Sequence, residues 1–269
     1  MAWVLDLDGV VWLEHRALPG AVEAVAHLRE LGHRVVFATN FSHGRRDELE
    51  SALRGVGIDP RDDLCTSAMA AGSLLSAGER VHVLGGPGIV EAAERAGASV
   101  VGRGEATDAV IVGWTRAVDF DRLDAAFQAV HAGARLIATN TDRTYPTPNG
   151  PIPGGGALVA AVEWATGVDA EVAGKPHRPM ADLVEQMIAD DPGTPREGSL
   201  GAVMVGDRPA TDGRFAVTLG LPFALVTGGV TAADDLPTDP PATYVADGLA
   251  ALVRRWAGPD AGAGAPGGR

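Results

Sequence analysis

The chain has 269 residues, 46% of them apolar, which is enough to bury a sizeable core in one large domain or two modest ones, so disorder is not the expectation. Its 35 Asp and Glu outweigh 22 Lys and Arg, and the formal charge of −13 disfavours nucleic acid and anionic membrane surfaces as partners. No apolar run reaches the roughly 18 residues of a membrane span, and a single cysteine, Cys65, excludes an internal disulfide and fits a reducing, cytoplasmic setting.

Trp3 to Leu7 reads as a buried strand. Asp6 and Asp8 interrupt its apolar character, which argues against a cleaved secretory signal. Pro19 to Leu31 has the spacing of a helix, with Val22, Val25, Leu28 and Leu31 along one face and Gly32 after its end. Arg34 to Thr39 is a second strand. Strand, helix and strand of these lengths form a βαβ unit with parallel strands, so Asp6 and Thr39 should end at one sheet edge. Helices are expected at Arg45 to Gly55 and Ser67 to Leu75. A second α/β pattern starts near Arg80, with strands at Val81 to Leu84, Ala109 to Val112 and Arg135 to Thr139, separated by helices near Ile89 to Ala96 and Asp121 to His131. A helix at Ala157 to Thr166 leads back to Lys175, and a strand at Leu200 to Val205 carries Asp207 at its end, where open parallel sheets place their ligands.

The expected fold class is therefore α/β. A doubly wound, Rossmann-like parallel-sheet core is built from residues 1–79 and 173–256, with an inserted α/β cap domain over residues 80–172. Residues 257–269, mostly Gly, Ala and Pro, read as a disordered tail. Trp114 and Trp164 are expected in the cap core, and Cys65 as a buried, inert thiol.

The chemistry concentrates in four places. Asp6-Leu7-Asp8-Gly9-Val10 sets two carboxylates where an apolar strand ends, which demands a metal, hydrogen bonds or a reaction to compensate them. Thr39-Asn40 ends a second strand. Lys175 sits in Gly174-Lys175-Pro176, and Asp207 and Asp212 sit in Gly206-Asp207-Arg208-Pro209-Ala210-Thr211-Asp212 after a third apolar run. Taken singly, the first could be a surface turn and the lysine a solvated side chain; the four in this order are the signal.

In order and spacing these motifs resemble those of the haloacid dehalogenase superfamily, specifically its phosphatases. The insertion between the Thr39 and Lys175 motifs, together with Ala138-Thr139-Asn140-Thr141-Asp142 and the Gly154-Gly155-Gly156-Ala157 helix start, is similar to subfamily IIA, which contains nitrophenylphosphatases, nucleotide phosphatases and phosphoglycolate or glycerol-phosphate phosphatases. The resemblance implies hydrolysis of a small phosphate monoester of sugar, polyol, glycolate or nucleotide type through an aspartyl-phosphate. It makes Asp6 the nucleophile and Asp8 the general acid and base. Thr39 and Lys175 become ligands of the transferring phosphoryl group; Gly9, Asn40, Asn140 and Asp142 join them in substrate binding. Asp207 becomes a direct metal ligand alongside Asp6 and the Asp8 carbonyl, with Asp212 holding metal-bound water. Four carboxylates facing one ammonium and an anionic ester require a divalent cation, and Mg²⁺ suits oxygen ligands of this kind. A homodimer is compatible with this pattern. A phosphomutase or phosphotransferase using the same intermediate, and a retired module that binds phosphometabolites, are the alternatives.

Two departures from the family pattern bear on the substrate. Thr39-Asn40-Phe41-Ser42 stands where Thr-Asn-Asn-Ser is frequent, and Gly113-Trp114-Thr115-Arg116 where Gly-x-Asp-Arg is usual. Both leave the reaction centre whole.

Overall fold

The computed structural model describes residues 1–147, 149–190 and 201–257, and the chain divides into two compact units. One is formed by residues 1–38 and 52–63 with the described part of 184–269; the other by 39–51 with the described part of 64–183. Leu200, at the start of one expected strand, and residues 258–269 of the expected tail lie outside the described residues.

In the first unit parallel strands lie side by side in the order Tyr244–Ala246, Phe223–Val226, Ala202–Gly206, Ala2–Leu5, Arg34–Thr39. The unbroken apolar runs of Ala2–Leu5 and Ala202–Gly206 are buried along their whole length, as strands covered on both faces must be. Helix Ala21–Glu30 turns Ala21, Ala24, Val25 and Leu28 inward and packs against helix Leu249–Ala257, while Trp3 meets the edge of Trp256 at 5.0 Å. From the central pair, Ala2–Leu5 and Ala202–Gly206, the chain order runs outward in opposite directions. That pair is the switch point of the sheet, and open parallel sheets bind their ligands beyond the carboxyl ends of such a pair.

The first strand stops at Leu5, two residues before its expected end. The Leu7 carbonyl accepts the N–H groups of Val11 (2.9 Å) and Trp12 (3.0 Å), which turns the backbone out of the ladder. Beyond it, Trp12–Leu13 and Arg16–Ala17 pair as a hairpin whose two turn residues, Glu14 and His15, both have positive φ (45° and 62°), the geometry that matches strand twist in a two-residue loop.

The second unit has its own all-parallel sheet, ordered Glu171–Val172, Arg135–Ala138, Ala109–Val112, Arg80–Leu84, Ser99–Val100. Leu84, Val110, Val112 and Leu136 from the strands pack on Ala126 and Val130 of helix Phe120–His131 and on Val159 and Val162 of helix Gly155–Thr166. Trp164 is not in this core, contrary to expectation, but is 92% exposed. It follows the inward Val162 by two residues, about 200° around the helix, so the face that buries Val162 turns Trp164 to solvent. Trp114 is only partly buried.

Cys65 lies in the strand Leu64–Thr66 and is fully buried, and burial pushes its thiol up to about 12 against the opposing pull of Lys175 and Arg46. The thiolate is the reactive form. Native protein at neutral pH should therefore resist iodoacetamide and become fully alkylated in denaturant; rapid labelling of the native chain would contradict this placement.

Candidate active site

In the first unit, strand register brings three carboxylates together. Leu5 is paired with Val205, and the Asp6 N–H extends the ladder by donating to the Val205 carbonyl (2.9 Å). The Asp6 side chain is buried and accepts the Leu7 N–H at Oδ1 (2.8 Å). On the neighbouring strand Asp207 follows Gly206. The Arg208 carbonyl then accepts the N–H groups of Thr211 (3.1 Å) and Asp212 (2.7 Å) in a single π-helical turn, Pro209–Gly213. That turn folds Asp212 back, so that its Oδ2 accepts the backbone N–H groups of Asp207 (3.2 Å) and Arg208 (3.0 Å). Gly206 makes this possible, since a Cβ there would lie 2.2 Å from the Asp212 Cβ.

Asp207 is fitted still more tightly. Its Oδ2 accepts the Val230 N–H (2.7 Å), and a Cβ at Gly9 or at Gly229 would fall 2.3 Å or 2.1 Å from the same oxygen. Gly9 also has φ +87°, a conformation that L side chains rarely adopt. Asp6, Asp207 and Asp212 thereby offer one oxygen each within 4.8 Å of one another, all three residues buried. A buried, all-oxygen donor set of this charge, held in a cradle that glycine alone permits, fits a hard divalent cation such as Mg²⁺. Asp8, two residues beyond Asp6, is a partly exposed residue with its Oδ1 buried, and it stands outside this trio.

In the second unit the organising residue is Asn40. Its Oδ1 accepts the Lys175 N–H (2.8 Å), and its Nδ2 donates to the Lys175 carbonyl (3.1 Å) and to Asp142 Oδ2 (3.1 Å). Its own carbonyl accepts Ser67 Oγ (2.6 Å) and Asn140 Nδ2 (2.7 Å), and Asn140 Oδ1 in turn accepts the Asp142 N–H (3.1 Å). One amide thus fixes the backbone on both sides of Lys175 and the carboxylate of Asp142. Gly174 lets the strands close up, because a Cβ would lie 2.4 Å from the Thr139 carbonyl and 2.6 Å from Asn40 Oδ1. Lys175 is buried, as is Thr39, whose hydroxyl accepts the Phe41 N–H (3.0 Å). Burial lowers the His177 imidazole below its ordinary value.

Among the expected site residues, the structure gathers Asp6, Asp207 and Asp212 in one unit and Asn40, Asn140, Asp142 and Lys175 in the other. The sequence reading missed Gly229 and Val230, which hold Asp207. Thr227-Gly228-Gly229, directly after the end of strand Phe223–Val226, was the available signal. It also missed the buried hydroxyls of Ser42, Ser67 and Thr139 that line the Asn40 network.

Comparison with known proteins places these motifs in context. Residues 3–99 match the family model of haloacid dehalogenase-like hydrolases, and residues 172–252 match a second one described as HAD-hydrolase-like. The chain is 34% identical over 258 residues to a D-glycerol 3-phosphate phosphatase of Mycobacterium tuberculosis, covering 93% of this chain and 70% of that protein. It is 29% identical to an acid sugar phosphatase of Staphylococcus aureus, covering 90% of this chain and 93% of the other. Among solved structures it resembles a glycerol phosphate phosphatase of Mycobacterium tuberculosis in complex with magnesium, with a TM-score of 0.82 and 33% identity over 93% of this chain and 75% of that one.

The cradle yields a paired test. Gly32 has φ +76° with nothing within 4 Å of an added Cβ, whereas Gly9 has both positive φ and the Asp207 contact. Gly32→Ala should lower unfolding free energy by about 1–2 kcal/mol, the backbone strain alone. Gly9→Ala should lose clearly more in urea denaturation; equal losses would show that Gly9 does not support Asp207.

Proposed function

The chain belongs to the haloacid dehalogenase-like hydrolases and is a Mg²⁺-dependent phosphatase of small phosphate monoesters, and we propose that it works through an aspartyl-phosphate formed on Asp6. The observation that carries this reading is the buried trio of Asp6, Asp207 and Asp212, with Asp6 at the carboxyl end of a switch-point strand. Mg²⁺ would be held by Asp6, Asp207 and the Asp8 carbonyl, with Asp212 supporting the ion from slightly further out, and would supply positive charge against the anionic ester.

The chain's own groups then divide the work. An Asp6 carboxylate oxygen forms a bond to phosphorus as the ester P–O bond breaks, and Asp8 gives its proton to the departing alkoxide oxygen. In the second half Asp8, now a carboxylate, takes a proton from water as that water attacks the phosphorus. The P–O bond to Asp6 breaks, and inorganic phosphate leaves with both aspartates restored. Asp8 suits a group that must exchange protons with alcohol and water, since it is partly exposed and outside the trio. Lys175 and the Thr39 hydroxyl are assigned to the phosphoryl oxygens, where their positive charge and hydrogen bond oppose the charge that spreads there. Support for joining them to Asp6 comes from the chain itself: Thr39 ends the strand that pairs in parallel with Ala2–Leu5, and Asn40 grips Lys175 on both sides. Gly9 is assigned to close approach of backbone and anion. Asn40, Asn140 and Asp142 are read as positioning the Lys175 segment and the substrate edge.

We also read residues 80–172 as a cap domain inserted into a core of residues 1–79 and 173–256. All five strands of the second sheet fall within that interval, and the two family matches leave residues 100–171 uncovered between them. A cap of that size favours small esters over folded phosphoproteins. Among the described residues no helix is long and apolar enough to cross a membrane. A cytoplasmic location rests on the lone cysteine, and independence of nucleic acid on the charge of −13.

Asp6→Asn keeps shape but removes the nucleophile. It should lower kcat by about a thousandfold or more, equivalent to about 4 kcal/mol, with an unchanged circular dichroism spectrum. Acid quenching during turnover, followed by borohydride reduction and peptide mass mapping, should place the modification on Asp6 in the parent protein. Activity of the asparagine variant within tenfold of the parent, or modification at another residue, would sink the assignment. Chelation with EDTA should abolish turnover and added Mg²⁺ restore it; sustained activity of metal-stripped protein would contradict the charge argument.

A further inference from the structure

The chain is only 5% aromatic, yet rings from three distant segments meet beside the proposed phosphate anchor. Phe41, Trp114 and Tyr145 form a triangle with centroid separations of 6.2 Å, 5.5 Å and 5.7 Å, and interplanar angles of 34° to 42°. His43 closes one side, edge-on to Trp114 at 5.3 Å. All four rings are partly exposed, so they do not form a closed core. The spacings leave no slot for a further ring between them; what they offer is a surface.

That surface is held in place. The Trp114 Nε1–H donates to the Pro153 carbonyl (3.0 Å), and His43 Nδ1 lies 3.3 Å from the Trp114 carbonyl. Tyr145 is carried on the two-residue strand that pairs Tyr145 with Ile152 and Thr144 with Pro153, so the same hairpin anchors both the tyrosine and the tryptophan. The link to the anchor is short, because the Phe41 N–H donates to the Thr39 hydroxyl at 3.0 Å. The side chain of Phe41 therefore springs from the residue whose backbone orients the proposed phosphoryl ligand. The Arg116 guanidinium, 5.7 Å above the Trp114 ring, adds a cation at the margin.

We propose that Phe41, Trp114 and Tyr145 form the leaving-group subsite, and that the preferred substrates are phosphate esters of ring alcohols that lay a flat apolar face on these side chains. This rests on the phosphatase reading above and extends it to substrate class. A polar asparagine at position 41, as the family pattern has it, gives a short polyol a hydrogen-bonding partner; a phenyl ring removes that partner and rewards apolar area instead. Two sources share the chemistry: the C–H face of a cyclic polyol or pyranose, and the π face of an aryl group or nucleobase. A linear ester such as glycerol phosphate or phosphoglycolate covers little of the surface.

The test is kcat/KM of the Mg²⁺-loaded full chain on glycerol 3-phosphate and phosphoglycolate, on glucose 6-phosphate and inositol 1-phosphate, and on benzyl phosphate and a nucleoside 5′-monophosphate, all esters of ordinary alcohols. Acetyl phosphate, which carries no ring, is the reference. The parent should favour at least one ring class over both linear esters by tenfold or more, and the favoured class identifies the source. In Tyr145→Ala and in Phe41→Asn the ratio of ring ester to acetyl phosphate should fall by about five- to tenfold, mainly through KM, while Tyr145→Phe retains it. Linear esters turned over as well as every ring ester, or variants in which all substrates fall by the same factor, would overturn the proposal and leave the phosphatase reading standing. Failure to hydrolyse acetyl phosphate and every ester would overturn both.

Discussion

Mutual repulsion among three buried carboxylates is the constraint from which the rest of the first unit follows. Asp6, Asp207 and Asp212 offer oxygens within 4.8 Å of one another. At that separation each like-charged pair repels by on the order of 3 kcal/mol, even at an effective dielectric constant of about 20. Backbone N–H groups of Leu7, Val230, Asp207 and Arg208 offset part of this. They do so by donating to the carboxylates themselves, and so they fix the side chains while leaving their charge in place. A divalent cation bound there would both use that geometry and neutralise its charge.

The glycines show how closely the backbone is shaped to this end. Gly9 and Gly229 approach Asp207 where no Cβ could fit, and Gly206 does the same for Asp212. The sheet supplies the rest. At the switch point, neighbouring strands diverge in chain order, and the pairing of Leu5 with Val205 sets Asp6 and Asp207 at the carboxyl ends of adjacent strands. In the second unit Asn40 plays the corresponding part, with hydrogen bonds in place of glycines. It binds the backbone on both sides of Lys175 and the carboxylate of Asp142. An apolar residue at position 40 would strand several buried polar groups at once, each worth about 1–3 kcal/mol when left unsatisfied.

Much of this is written legibly in the sequence, for physical reasons. The runs that become Ala2–Leu5, Arg34–Thr39, Ala109–Val112 and Ala202–Gly206 are short, apolar and bounded by turn residues, and all four are strands. The motif aspartates sit where those strands stop, which follows from the placement of charge at a sheet edge. What could not be read depends on the chain meeting itself at a distance. The hairpin of Thr144–Tyr145 with Ile152–Pro153 has two-residue strands and a proline, too little for a period-2 pattern. The π-helical turn at Pro209–Gly213 looks like an ordinary helix start. The roles of Asn40 and of Gly229-Val230 appear only once residues more than a hundred, or just over twenty, positions away are brought beside them. Trp164 was misread because its helix is almost uniformly apolar, so hydrophobicity alone does not say which side is inside.

The cation is the part of this picture open to the most direct check, and it can be made without any substrate. Metal-free protein should gain thermal stability as Mg²⁺ is titrated in, because an ion that binds only the folded state raises the melting temperature with the logarithm of its concentration relative to its Kd. Asp8→Asn, whose side chain lies outside the trio, should keep that response. Asp207→Asn should need at least about tenfold more Mg²⁺ to reach the same shift, as loss of a direct carboxylate ligand implies. A melting temperature indifferent to Mg²⁺ in the parent protein, or an undiminished response in Asp207→Asn, would contradict the assignment of these three aspartates to a metal centre.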